Sequence, residues 1–134
     1  MIFLDANFFI NLYVETNENH EKAKKIYDSL ENETLIISNL VIMEVITVMN
    51  IKLKQEIGLI SKVYNDLNKY YTIIIDNDYY DRGFEILNKE FKENNERIPL
   101  FDCVYMALMR DLEIKKIASF DKHFDNKESI GKIH

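Results

Sequence analysis

The sequence holds one cysteine, one proline and three glycines among its 134 residues. With Cys103 alone, no internal disulfide can form, and a thiolate zinc site has no second ligand. Cys103 reads as a small buried apolar residue, because no histidine stands close to it in sequence to act as a base. The scarcity of glycine and proline leaves no low-complexity linker, and no internal repeat is present, so one domain over residues 1–134 is expected. Gly58, Gly83 and Gly131 are isolated, which excludes a glycine-rich phosphate loop. The sharp glycine-flanked turn that presents a serine nucleophile is missing too. His20, His123 and His134 are scattered, and this argues further against zinc. No apolar run approaches the roughly 20 residues of a membrane span. The opening Met1-Ile2-Phe3-Leu4-Asp5 lacks the basic head of a signal peptide. A cytoplasmic protein without membrane contact is the expectation.

An excess of basic residues is also lacking. Lys plus Arg number 17 against 23 Asp plus Glu, for a net charge of -6. Nucleic-acid binders are usually basic, so this balance points away from them. The objection weakens where several carboxylates converge on divalent ions, which cancel their charge and reverse the local field. Any RNA contact would then rest on local lysines.

What the chain does have is apolar material, 47% of it, laid out in short runs and helical stripes. Ile2-Phe3-Leu4 and Leu35-Ile36-Ile37 read as buried strands, as do Tyr71 to Ile75, Lys116 to Phe120 and Ile130 to Ile133. Between them lie helical patterns. Ala23, Ile26, Tyr27 and Leu30 mark a helix over Glu18 to Leu30, and Ile57, Ile60, Tyr64 and Leu67 mark another. Ser38 is placed to cap a helix through Leu40 to Ile46 whose apolar residues run nearly all the way round, so that helix should be buried. Tyr79 to Lys92 and Leu100 to Leu112 complete the set, separated by a polar stretch and by Pro99. Apolar strands alternating with helices predict an α/β fold with a mainly parallel sheet. Sites in such sheets lie beyond the carboxyl ends of the strands.

Two acids stand at those ends, Asp5 after the first strand and Asp121 after a later one. Each alone is an ordinary turn residue. Glu44 says more. It lies within Leu40 to Met49 among Leu, Val, Ile and Met, and no Lys or Arg occurs between Lys25 and Lys52 to pair with it. A carboxylate buried there is costly unless it is paired or holds a metal; the alternative is a narrow exposed stripe beside Thr47. Asp102 falls in the first turn expected after Pro99, where the helix dipole favours an ionised carboxylate whether or not it has a function. Four such acids suit Mg2+ or Mn2+, hard cations that take oxygen ligands. Ions held this way activate water and stabilise the attacking and leaving oxygens of a phosphodiester.

The segments Phe3-Leu4-Asp5-Ala6-Asn7-Phe8-Phe9-Ile10, Ile37-Ser38-Asn39-Leu40-Val41-Ile42-Met43-Glu44-Val45, Leu100-Phe101-Asp102-Cys103-Val104-Tyr105-Met106-Ala107 and Ile117-Ala118-Ser119-Phe120-Asp121-Lys122-His123-Phe124 resemble, in that order, the acidic segments of the PIN domain. Among PIN proteins the chain looks most like the VapC-type toxins. The resemblance implies a five-stranded, mainly parallel sheet flanked by helices, with a short helix following Asp5. It implies a metal-dependent endoribonuclease using Mg2+ or Mn2+, an RNA substrate, an antitoxin partner and a homodimer. Asp5, Glu44 and Asp102 take the three core metal-binding positions and Asp121 the fourth, with Asp125 the alternative for that role. Asn7 and Ser119 match polar positions that orient the acids. Two other readings stay open: a catalytically silent PIN module that binds RNA or a protein, and an aspartyl-nucleophile phosphatase, disfavoured because Asp5-Ala6-Asn7 lacks a second carboxylate. Lys122 and His123 read as a solvated turn, with a phosphate contact as the alternative. The pairs Tyr70-Tyr71 and Tyr79-Tyr80 read as core or dimer surface rather than as base-stacking platforms, and Arg97 as an RNA contact.

Overall fold

A computed structural model describes residues 1–127 and 129–134. β1 (Ile2–Leu4) enters the core at once, with Ile2, Phe3 and Leu4 all buried. A strand apolar on both faces needs cover on both faces, and it receives that as the centre of a five-stranded sheet. Its neighbours are β2 (Leu35–Ser38) and β4 (Lys116–Ala118), with β3 (Thr72–Ile74) and β5 (Gly131–Ile133) at the edges. The order is β3-β2-β1-β4-β5 and every pairing is parallel. The expected α/β class and parallel sheet are therefore present; β1 keeps the bounds of its apolar run, β2 runs one residue further to Ser38, and β3, β4 and β5 are a residue or two shorter than the runs that signal them.

Among the described residues six α-helices connect the strands: α1 (Ala6–Tyr13), α2 (His20–Ser29), α3 (Asn39–Thr47), α4 (Ile57–Lys69), α5 (Tyr80–Asn94) and α6 (Leu100–Asp111). α2 starts two residues later than its stripe suggests. α5 continues to Asn94 and ends where Asn95 adopts a left-handed backbone, φ 52°, which an asparagine tolerates. α5 and α6 cross closely because of Gly83, where an added Cβ would lie 2.8 Å from Val104 Cγ2 and 3.0 Å from the Val104 backbone. Among the described residues no helix is long and apolar enough to cross a membrane.

Two local expectations fail in α3. Ser38 holds the position ahead of the helix in extended conformation, yet its side chain makes no capping bond. The cap comes from the end of another strand: Asp76 Oδ2 accepts from the Leu40 N–H at 3.0 Å, and Asn39 Oδ1 accepts from the Asp76 N–H at 2.8 Å. Nor is α3 buried all round. Met43 is 62% exposed and Thr47 is exposed, so the helix shows one face to solvent although most of its residues are apolar.

Candidate active site

The chain lays down β1, β2 and β3 outward on one side, then crosses back to add β4 and β5 on the other. In an open parallel sheet such a reversal marks the crevice where sites lie, and here it falls at the carboxyl ends of β1 and β4. Asp5 leaves β1 at this point. Its Oδ1 caps α1 by accepting from the Ala6 N–H at 2.8 Å, and its Oδ2 accepts from the Ser119 hydroxyl at 2.7 Å. Ser119, just past β4, is fully buried, and its Oγ accepts from the Asp121 N–H at 3.0 Å. Asn7 Oδ1 accepts from the Phe120 N–H at 3.0 Å and lies 3.3 Å from Ser119 Oγ. Asn7 and Ser119 thus tie the two strand ends together, fixing the Asp5 side chain and the chain direction into Asp121.

Helices bring the other two acids. Asp102, in the first turn of α6, is 3% exposed. Glu44 on α3 is half-buried, and its Oε1 accepts from the Tyr105 hydroxyl at 2.9 Å. Tyr105 is among the largest fully buried side chains and packs against the Phe3 ring, centroids 5.3 Å apart, so the hydroxyl that holds Glu44 is anchored in the core. A tyrosine hydroxyl is the partner that the local sequence around Glu44 withholds.

Asp5, Glu44 and Asp102 each lie close enough to another acid of the set for its negative charge to oppose their ionisation. Burial first, then Glu44, pushes the Asp5 carboxyl up to about 7, against the pull of its bonds from Ser119 and Ala6. Asp102 is pushed up to about 9, by burial first and then by Asp5, Asp121 and Glu44. Burial also raises Glu44, the Tyr105 bond opposing it. At neutral pH the cluster cannot carry its full negative charge unaided; it holds protons or needs a cation. The donor set is made of carboxylate oxygens, which suits a divalent ion of the Mg2+ or Mn2+ type. A further polar group points the same way. Among the described residues, the Ser38 hydroxyl is the buried side-chain polar atom without a hydrogen-bond partner. The β1–β2 register, Phe3 beside Ile36, continued by two residues sets Ser38 alongside Asp5.

Asp125 is placed differently. It forms an ion pair with Lys132 Nζ at 2.5 Å and stands 47% exposed, while Asp121 faces Asp102. His123 is the residue that sequence reasoning missed. Expected on a solvated turn, its side chain is only 25% exposed, with Nδ1 2.7 Å from Asp121 Oδ1 and 3.1 Å from Asp102 Oδ2. The turn Lys122–Phe124 is a single 3-10 helical turn capped by Asp121, whose Oδ1 accepts from the His123 N–H at 2.9 Å, and that cap folds the ring back over the acids. Lys122 remains exposed. Arg97 lies over the Phe91 ring, and Tyr79 is buried with its hydroxyl on Asp111 at 2.7 Å.

Comparison with known proteins agrees with this architecture. The family model described as PIN domain matches residues 2–129. The solved structure of Mycobacterium tuberculosis VapC20, a sarcin-ricin loop cleaving toxin, is similar with a TM-score of 0.78 and 20% identity, covering 91% of each chain. A toxin-antitoxin complex from Klebsiella pneumoniae matches with a TM-score of 0.66 and 17% identity over 98% of this chain and 96% of that one. VapBC2 from Rickettsia felis, bound to a DNA fragment from its promoter, matches with a TM-score of 0.74 and 13% identity over 99% and 98%. Comparison with curated protein sequences gives no match. With its acids gathered at the sheet's switch point and the family model spanning nearly its whole length, the chain belongs to the PIN domain family.

Proposed function

We propose that this chain is a divalent-metal-dependent endoribonuclease of the cytoplasm, a single PIN domain over residues 1–134 acting as the toxin of a toxin–antitoxin pair. The observation that carries the reading is the convergence of Asp5, Glu44, Asp102 and Asp121, from four separate segments, on one crevice. Membership of the PIN family supports nuclease chemistry. Likeness in fold to a sarcin-ricin loop cleaving toxin and to toxin–antitoxin complexes supports RNA as substrate and an antitoxin as partner. An antitoxin would cover the acidic crevice or the groove beside it, and a homodimer is the assembly we expect.

Asp5, Glu44, Asp102 and Asp121 would hold the Mg2+ or Mn2+. When bound, such an ion activates water for in-line hydrolysis and stabilises the attacking and leaving oxygens of the phosphodiester. The chain's own residues prepare the place. Burial and neighbouring acids raise the Asp5 and Asp102 carboxyls, so a cation held between them would favour their ionised forms. Ser119 fixes the direction of Asp5 and Tyr105 that of Glu44, so neither carboxylate must be ordered when substrate binds. Lys122, one residue past Asp121 and exposed, is a solvated turn residue, with a phosphate contact as the alternative reading.

The test is cleavage of total RNA by purified protein with Mn2+, with Mg2+ and with a chelator, beside Asp5→Asn. Asparagine keeps an oxygen to cap α1, so the fold should survive while cleavage is lost. Full activity in that variant refutes the assignment.

A further inference from the structure

The four carboxylates do not account for everything in the crevice. His123 Nδ1 lies with oxygens of Asp102 and Asp121 so that all three atoms fall within 4.8 Å of one another. Its separations from the two oxygens are 2.7 and 3.1 Å. Neighbouring ligands around an octahedral ion bound at about 2.1 Å stand about 3.0 Å apart, so these separations, which also suit hydrogen bonds, are ones that adjacent ligands of such an ion can keep. The ring is held there: the Asp121 cap bonds the His123 backbone N–H at 2.9 Å, and Phe124, the next residue, is buried. A solvated turn would leave the ring free to swing outward.

We infer that His123 Nδ1 is a direct ligand of the ion held by Asp102 and Asp121, and that this site selects Mn2+ over Mg2+. The inference rests on the metal-dependent reading above and makes it more specific. Imidazole nitrogen is a ligand of transition ions, whereas Mg2+ is bound through oxygen and keeps its waters. An all-oxygen site would discriminate weakly between the two ions; one nitrogen tilts the choice. The catalytic acids are unchanged in this scheme, and His123 sets which ion they share.

The experiment is pulsed electron paramagnetic resonance on the full chain loaded with Mn2+, with Mn2+ and Mg2+ affinities measured by calorimetry. Direct ligation gives a 14N modulation of the Mn2+ echo that changes to the 15N pattern when the protein carries 15N-histidine. In His123→Gln the modulation should vanish and Mn2+ affinity should fall by about 10-fold or more, while Mg2+ affinity changes by much less. If that variant fails to fold, the isotope comparison on the parent protein decides alone. Tight Mn2+ binding without nitrogen modulation overturns the ligand inference and leaves the nuclease reading standing. Failure of the parent to bind either ion overturns both.

Discussion

Replacing Asp102 with asparagine should abolish cleavage and, in the metal-free protein, raise stability. Asp102 is 3% exposed, and its carboxyl is pushed up to about 9 from an ordinary value of 3.8. A carboxyl raised on folding stabilises the fold fully only below its unfolded value; that contribution is lost as pH climbs toward the folded value. At pH 8 the unfolded chain carries Asp102 ionised while the folded chain keeps it largely protonated. At roughly 1.4 kcal/mol per pH unit, an upper limit for the penalty is about 6 kcal/mol. Asp5 shares the same repulsion and the His123 ring stands 3.1 Å away, so local adjustment removes part of it. A gain of about 2 to 3 kcal/mol for Asp102→Asn is the working figure, equivalent to a rise of roughly 6 to 9 °C in melting temperature for a chain of this size. The amide is close in shape and can keep a hydrogen bond with the His123 ring in either direction. The assay is thermal unfolding by circular dichroism on chelator-treated protein from pH 4 to pH 9. The parent should lose stability steadily as pH rises, the variant much less, and the curves should meet near pH 4. Adding Mn2+ should raise the parent's melting temperature at pH 8 and leave the variant nearly unmoved. A variant that melts at or below the parent at pH 8, with an unchanged pH profile, would show that Asp102 is not held protonated by its surroundings.

Two smaller perturbations test the parts around the acids. Tyr105→Phe removes the donor 2.9 Å from Glu44 and leaves the ring against Phe3. We expect a stability loss of about 1 kcal/mol in denaturant titration and an approximately 10-fold loss of RNA cleavage; unaltered cleavage would mean that Glu44 needs no holding. Asp125→Asn breaks the ion pair between exposed Asp125 and the largely covered Lys132 and should leave metal-dependent cleavage unchanged, whereas Asp121→Asn should remove it. Equal losses in the two variants would make Asp125 part of the site.

Most of the fold was legible because each strand is short, apolar and flanked by helical periodicity, which leaves few arrangements other than a parallel α/β sheet. α1 was the exception. Ala6 to Tyr13 sets only Asn7 and Asn11 among Phe8, Phe9, Ile10 and Leu12, a polar stripe too narrow to announce a helix, and only the family resemblance marked it as helical. The cap of α3 was misread for a related reason. Ser38 has the right chemistry and position, but Asp76, distant in sequence and adjacent in space, has a carboxylate and a stronger bond to offer. Local rules rank local candidates. They carry no term for a competitor delivered by β3.

The same limit divides the site. Asp5 and Asp121 were visible from strand ends, and Glu44 from the lack of any nearby cation, but the partner of Glu44 is a hydroxyl 61 residues away. A signal for it did exist: Tyr105 stands three residues after Asp102, and positions i and i+3 share a helix face, so a helix that presents Asp102 to the crevice presents Tyr105 beside it. His123 carried a comparable signal, two residues from Asp121, which becomes readable only once the Asp121 side chain is known to cap its own following turn. In both cases the missing information was which way an element faces, and the acid already identified on that element supplies it. Candidate acids in such a chain are therefore best used twice, first as ligands and then as compasses for the side chains on the same face.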